Sequence, residues 1–288
     1  MGGGADSTGC DGSPPRGGLF AAPVASRPAR KPWPALSLRS RADVLRGAAS
    51  LAALVGLWAL ASHFVGDPLR APGPGLVLPR LWDGIVGGAM LPDLRATLGR
   101  VALSFALAMG AGVALGLALG LWRRADRWFD PWLTVALNVP ALVTIVLCYL
   151  WIGLNETAAI AAVALNKIPL VAVMLREGVR VLDPGLSEMA RVHRMGRMAR
   201  LRHIILPQLA PHLMAAARSG ISLIWKIVLV VEFLGRSNGI GFRLHLDFQM
   251  FDIAGVIAHA LAFIAVMLCV EWLVLAPLSR RVAAWRQT

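Results

Sequence analysis

Six stretches dominated by apolar side chains, 44–65, 96–122, 131–152, 157–175, 212–234 and 253–276, constrain this chain more than any other feature. A run of about 20 such residues is the length a helix needs to cross the hydrocarbon core of a bilayer. We therefore expect an all-α membrane protein with six transmembrane helices. The charge content agrees: 16% of residues are charged, against about a quarter in a soluble domain.

The remaining segments fall between these spans. Residues 1–42, rich in Gly, Pro, Ser and Arg, hold too little apolar surface to offset ordering entropy, and are expected to be a disordered basic tail. Residues 43–288 then form one transmembrane domain. The first span is expected to serve as an uncleaved signal-anchor. A short amphipathic helix is expected over 81–89, loops over 123–130 and 235–252, and a tail over 277–288. Pro140 falls inside the third span and Pro169 inside the fourth. Gly112, Gly116 and Gly120 recur every four residues, on one helix face, where a neighbouring helix can approach closely. Cys10, Cys148 and Cys269 are odd in number and scattered, with no spacing for a metal cluster or a disulfide framework.

The formal net charge is +13. Its placement argues against nucleic acid as a partner. With the N-terminus inside, the basic residues of the tail, of 123–130, of 183–211 and of the C-terminus all fall on the cytoplasmic face, the usual bias of membrane proteins. Arg70, Arg80, Arg95, Arg100, Arg236 and Arg243 fall outside. Both termini are thus expected in the cytoplasm, and 183–211 is the largest cytoplasmic loop between spans.

That loop reads DPGLSEMARVHRMGRMARLRHIILPQLAP. Asp183 suits a helix N-cap and Pro184 the first helical position. A first helix carries Leu186, Met189, Ala190 and His193 on one face, with Glu188 near its start. Gly196 allows a break. A second helix over 197–206 shows Met198, Leu201, Ile204 and Ile205 on one side, and Pro207 and Pro211 are expected to reset the backbone into the fifth span. Two short amphipathic helices at a membrane face can hold a partner protein or rest on lipid headgroups.

The spacing of Glu188-Met189-Ala190, three residues, position 194, nine residues, then Ile204-Ile205-Leu206-Pro207 resembles the EAA loop of binding-protein-dependent ABC importer permeases. The passages TLGRVALSFALAMGAGVALGLALGLWRR, VLDPGLSEMAR and VVEFLGRSNGIGF are similar to the nitrate/sulfonate/taurine branch. Met189 stands where the pattern has alanine. Arg194 stands where it has glycine, so either the turn has moved to Gly196 or Arg194 adopts it under strain. The resemblance implies a type I ABC importer permease fold in a bacterial inner membrane. It also implies a second permease copy, two ABC ATPase subunits and a periplasmic solute-binding protein as partners, with lipid around them. The loop residues Glu188, Met189, Ala190, Arg194, Gly196, Ile204, Leu206 and Pro207 would enter a groove on the ATPase. ATP and Mg would then be bound there and no cofactor by this chain.

The sequence contains no G-x-x-x-x-G-K-[ST] phosphate loop, and no H-E-x-x-H or G-x-S-x-G signature, so a transport subunit is favoured over an intramembrane enzyme. A gradient-driven carrier or channel would lack the EAA spacing. Ionisable and amide groups at membrane depth are costly and usually face a cavity or the bundle interior. Asn138, Asn166, Lys167, Lys226 and Glu232 are therefore candidates for a pathway, with Glu271 beside them. Lys167 and Lys226 either present positive charge to an anionic solute, or snorkel, or pair with Glu232 or Glu271.

Overall fold

The computed structural model describes residues 41–275 and 277; the expected tails over 1–42 and 277–288 lie almost wholly outside them. Residues 1–52 and 53–288 are separate units, and the helical bundle belongs to the second. No strand occurs among the described residues. The helices are α1 (Arg41–Val65), α2 (Pro74–Val86), α3 (Leu91–Leu121), α4 (Arg123–Asn138), α5 (Ala141–Ile152), α6 (Glu156–Arg180), α7 (Pro184–Val192), α8 (Arg197–Arg200), α9 (Leu206–Gly235), α10 (Ile240–Gln249) and α11 (Ile253–Val270).

The centre of the bundle is α3 against α6. The two run parallel: Ser104 donates to the Ile160 carbonyl, Gly112 lies against Val171, Gly116 against Ala172 and Gly120 against Val179. A Cβ on Gly116 would stand 2.5 Å from the Ala172 carbonyl oxygen, and one on Gly120 2.5 Å from Val179 Cβ. The glycine stripe is thus the surface that lets these backbones meet, and no larger side chain fits it. Helix α9 returns antiparallel, from Leu209 and His212 beside Gly178 to Glu232 beside Arg100.

The third apolar stretch departs from expectation. Among the described residues five helices are each long and apolar enough to cross a bilayer, while α4 and α5 pass that test only together and are bent by 95°. Pro140 is the cause. It has no N–H to give, and it forces Val139 into extended geometry (φ −69°, ψ 122°), so the helix stops at Asn138 and restarts at Ala141. Both ends of the bent pair are pinned. Asp126 and Asp130 bind Arg176 at the end of α6, and Ile152 leads through Gly153 to Glu156 at its start. The pair therefore travels the same depth as α6 in the opposite sense and counts as a sixth crossing.

Other boundaries also shift. The first helix of the 66–90 segment is 74–86, not 81–89, because Pro74 starts it and Gly87 ends it. Residues 123–130 are helical rather than loop, and α10 occupies most of the expected loop 235–252. Helix α3 starts at Leu91, so it takes in Asp93. Pro207 and Pro211 do not reset the backbone: Met198–Gly235 is one helix. A π-helical turn at Leu201–Ile205 makes this possible, since Leu206 N–H reaches back to the Leu201 carbonyl and the hydrogen-bond ladder slips by one residue just where Pro207 offers no donor.

Candidate functional site

The loop between α6 and α9 is built on a firm base. Asp183 caps α7 by accepting from Gly185 N–H (2.8 Å), and its own N–H donates to Gln208 Oε1 (3.0 Å), which ties the loop's start to that of α9. Ala190 points inward and is 2% exposed. Ile204 and Ile205 are buried, and Ile205 clusters with Val171, Leu175, Val179 and Leu209 of α6 and α9. Leu206 is half-buried and Pro207 exposed.

Glu188 and Met189 face outward. Of the apolar residues assigned to the faces of these short helices, Leu186, Met189 and Met198 are exposed, as is Val192 (79%). The loop thus buries a small residue and its terminal isoleucines and leaves a patch of larger apolar side chains uncovered.

Arg194 settles where the turn lies. Its φ is +49°, in the left-handed region, whereas Gly196 has no positive φ, and a Cβ there would meet nothing within 4 Å. Arg194 N–H bonds the Arg191 carbonyl and Met195 N–H the Ala190 carbonyl, both at 3.0 Å. That is the Schellman closure of a helix, with arginine at the position glycine usually fills. The turn has stayed in place, and Arg194 carries its strain.

The polar residues of the spans do not form one site. Asn138 is exposed and donates to the Thr134 carbonyl (2.7 Å), just before the α4–α5 break. Asn166 is half-buried, and Lys167 is 9% exposed with no hydrogen bond or ion pair among the described residues. Lys226 is exposed, 5.5 Å from the Trp225 ring centroid. No bond joins any two of Asn138, Asn166, Lys167, Lys226 and Glu232. Neither lysine pairs with Glu232 or Glu271: Glu271 is taken by Arg218 (3.1 Å) and Glu232 by Arg100. On α9, Arg218, Ser222 and Lys226 are all exposed and four residues apart, hence on one face.

Glu232, expected among the pathway residues, is wholly enclosed. Its Oε1 accepts from Arg100 Nη1 (2.6 Å), and its Oε2 from Thr97 Oγ1 (2.8 Å) and Gly241 N–H (2.9 Å). Arg100 also binds Glu156 with Nε and Nη2, and Asn238 through its carbonyl and side-chain oxygens. Asp93 accepts from Gly239 N–H (2.8 Å) and Arg243 Nε (2.7 Å), and Thr97 accepts from Ile240 N–H. Helices α3 and α9 thereby cap the N-terminus of α10 with three side chains. Sequence reasoning missed this cluster. Its signal was present: Asp93, Thr97, Arg100 and Ser104 lie at helical spacing ahead of the glycine stripe.

Residues 106–282 match the family model described as the binding-protein-dependent transport system inner membrane component. The chain belongs to that family. Among its relatives in this permease family is SsuC of Escherichia coli (strain K12), named as an aliphatic sulfonates transport permease protein. The two are 33% identical over 190 residues, 66% of this chain and 72% of SsuC. The taurine transport system permease protein TauC of the same organism is 26% identical over 233 residues, covering 79% and 84%. These relatives fall in the branch that the sequence resembles. An inward-facing structure of the MetNI methionine ABC transporter aligns with a TM-score of 0.57 over 68% of this chain and 95% of that one, at 16% identity. That likeness concerns the fold alone, and it gives this permease the helical architecture expected for an ABC importer. The chain is a multi-pass membrane protein and a transport subunit.

Proposed function

We propose that this chain forms the membrane pathway of an ATP-driven importer for a small anionic solute of the sulfonate or nitrate kind. It would couple to a separate ATPase through 183–211. One observation carries the reading. Glu188 and Met189 project from a loop whose Ala190 and Ile204 are buried and whose Ile205 packs among residues of α6 and α9, so a partner seated on the exposed apolar patch would bear on both helices. The working unit is two permease copies, two ATPase subunits that bind ATP and Mg, and a periplasmic solute-binding protein. The six crossings and the basic residues beside the loop favour a cytoplasmic loop, both termini inside and an inner-membrane location.

Helix α9 supports an anionic solute. Lys226 stands exposed at membrane depth on the face of α9 that also carries Ser222 and the Glu271-paired Arg218. An ammonium with no carboxylate partner among the described residues is too costly to leave against lipid, and it suits a water-filled pathway carrying anions. The sulfonate and taurine names of the relatives point the same way.

The α4–α5 break is the kind of interrupted helix that gradient-driven carriers use, and this favours one second reading. The deciding experiment is uptake of labelled sulfonates by vesicles holding the permease with its ATPase and binding protein. ATP inside the vesicle should be required. Uptake driven by a proton or sodium gradient without ATP, together with no ATPase retained in crosslinked membranes, would overturn the proposal.

A further inference from the structure

The first half of α4 carries a charge imbalance that the bundle itself creates. Asp126 and Asp130 are the carboxylates of the segment 122–132, and both are drawn to α6. Asp126 binds Arg176 and Arg180 (3.2 and 2.6 Å), and Asp130 binds Arg176 (2.5 Å). Leu133, on the same side of the helix, is buried. Arg123, Arg124 and Arg127 are exposed and have no carboxylate partner among the described residues. At 100° per residue, Arg124 and Trp128 stand about a third to half a turn away from Asp126 and Asp130, with Arg127 on the flank and Arg123 toward the aspartate side.

The aromatic residues complete the surface. Trp122, Trp128 and Trp132 are each about two-thirds exposed or more (68%, 77% and 69%). They are interleaved with the arginines at the end of the bundle where α3 and α6 terminate. A guanidinium offers paired donors to phosphate oxygens, while indole rings settle at the headgroup level of a bilayer. The 95° bend at Pro140 turns α4 away from the axis of α5.

We infer that the cluster of Arg123, Arg124 and Arg127 at the start of α4, with the exposed Trp122, Trp128 and Trp132 of the same segment, is a binding surface for the headgroups of anionic phospholipids. The occupant is read from charge complementarity: three unmatched cations at the bilayer edge, with their own helix's anions spent on α6. Each basic residue near an anionic leaflet contributes about fivefold in affinity. The face is carried by α4 and uses no residue of the 183–211 loop or of the α9 stripe, so it does not depend on the transport reading.

The test is tryptophan quenching by brominated lipid. The full chain is reconstituted in phosphatidylcholine nanodiscs that contain the same fraction of either dibrominated phosphatidylglycerol or dibrominated phosphatidylcholine. The expected result is stronger quenching by the glycerol lipid, reduced in Trp128→Phe. The excess is lost in Arg123→Gln/Arg124→Gln/Arg127→Gln and kept when the three become lysine. Equal quenching of the native chain by the two lipids overturns the proposal and needs no variant to fold. An excess that survives in the glutamine variant also overturns it. So does loss of a co-purifying ATPase with the lipid preference unchanged, which would assign the face to a protein partner.

Discussion

The Arg100 guanidinium, 3% exposed, is held 2.6 Å from the carboxylate of Glu232, which is 0% exposed, and this pair joins the start of α3 to the end of α9. Removing one member of a buried ion pair leaves the other uncompensated, at a cost of about 3–5 kcal/mol. Arg100→Met and Glu232→Leu should each lower the thermal unfolding midpoint in detergent sharply. The double variant should lose less than the sum of the two. Additive losses would show that the two residues do not act as a pair.

Arg194 sits in left-handed geometry, which costs a residue with a Cβ roughly 1–2 kcal/mol relative to glycine. Arg194→Gly should therefore stabilise the loop by about 1 kcal/mol, and Arg194→Ala should not. Hydrogen exchange of the α7 amides, compared among the three proteins, measures this directly. If glycine weakens ATPase retention while slowing exchange, the guanidinium contacts the ATPase and the strain serves that contact.

Gly116 and Gly110 make a matched test of α3 packing. A Cβ at Gly116 meets backbone, which cannot give way, whereas one at Gly110 meets nothing within 4 Å. Gly116→Ala should cost on the order of 1–3 kcal/mol. Gly110→Ala should be neutral or slightly stabilising, because alanine favours the helix. Equal effects would mean that α3 and α6 do not approach as closely as the structure shows.

Asp252 lies just ahead of α11, where the Arg80 guanidinium (2.6 Å) and the Gly255 N–H (3.2 Å) hold its carboxyl below the usual aspartate value of 3.8. A carboxyl whose folded pKa is lowered stabilises the fold above its unfolded value and loses that contribution as pH falls through the folded one. Asp252→Asn should thus be less stable than the native chain at neutral pH, and the gap should close below 3.8. Both side chains are partly exposed, so the effect should also shrink in high salt. A gap that persists in strong acid would point to a role other than charge.

Lys226→Met should abolish or strongly reduce anion uptake in vesicles while ATPase retention and ATP hydrolysis continue. Lys167→Met tests the buried lysine in the same assay. Unchanged uptake in the Lys226 variant would remove the α9 stripe from the pathway.

Much of this architecture was legible because lipid restricts the options. Long apolar runs specify helices, and the spacing of Gly112, Gly116 and Gly120 indicated which face of α3 another backbone would approach. The loop's start was legible too, since Asp183 and Pro184 begin a helix for local reasons, whereas its far end, expected at Pro207 and Pro211, was not. What escaped was set by partners far along the chain. Arg100 finds Glu232 across 132 residues, and Asp93 finds Gly239 across 146. Read alone, Arg100 and Arg236 were surface charges. Pro140 was visible, but a proline inside a span can kink, break or be absorbed. Pro169 is absorbed in α6, Pro207 follows a π-helical turn, and only Pro140 breaks its helix. Tertiary context chose among those outcomes.

The uninterrupted helix from Met198 to Gly235 has a mechanical consequence. Its 38 residues form a rod roughly 57 Å long, with the second half of the 183–211 loop at one end and Glu232 at the other. A tilt of about 5° would move one tip by roughly 5 Å relative to the other. A hinge at Pro207 would have absorbed such a displacement locally. Without one, a push at the Ile204–Pro207 end arrives at the cap of α10 as leverage.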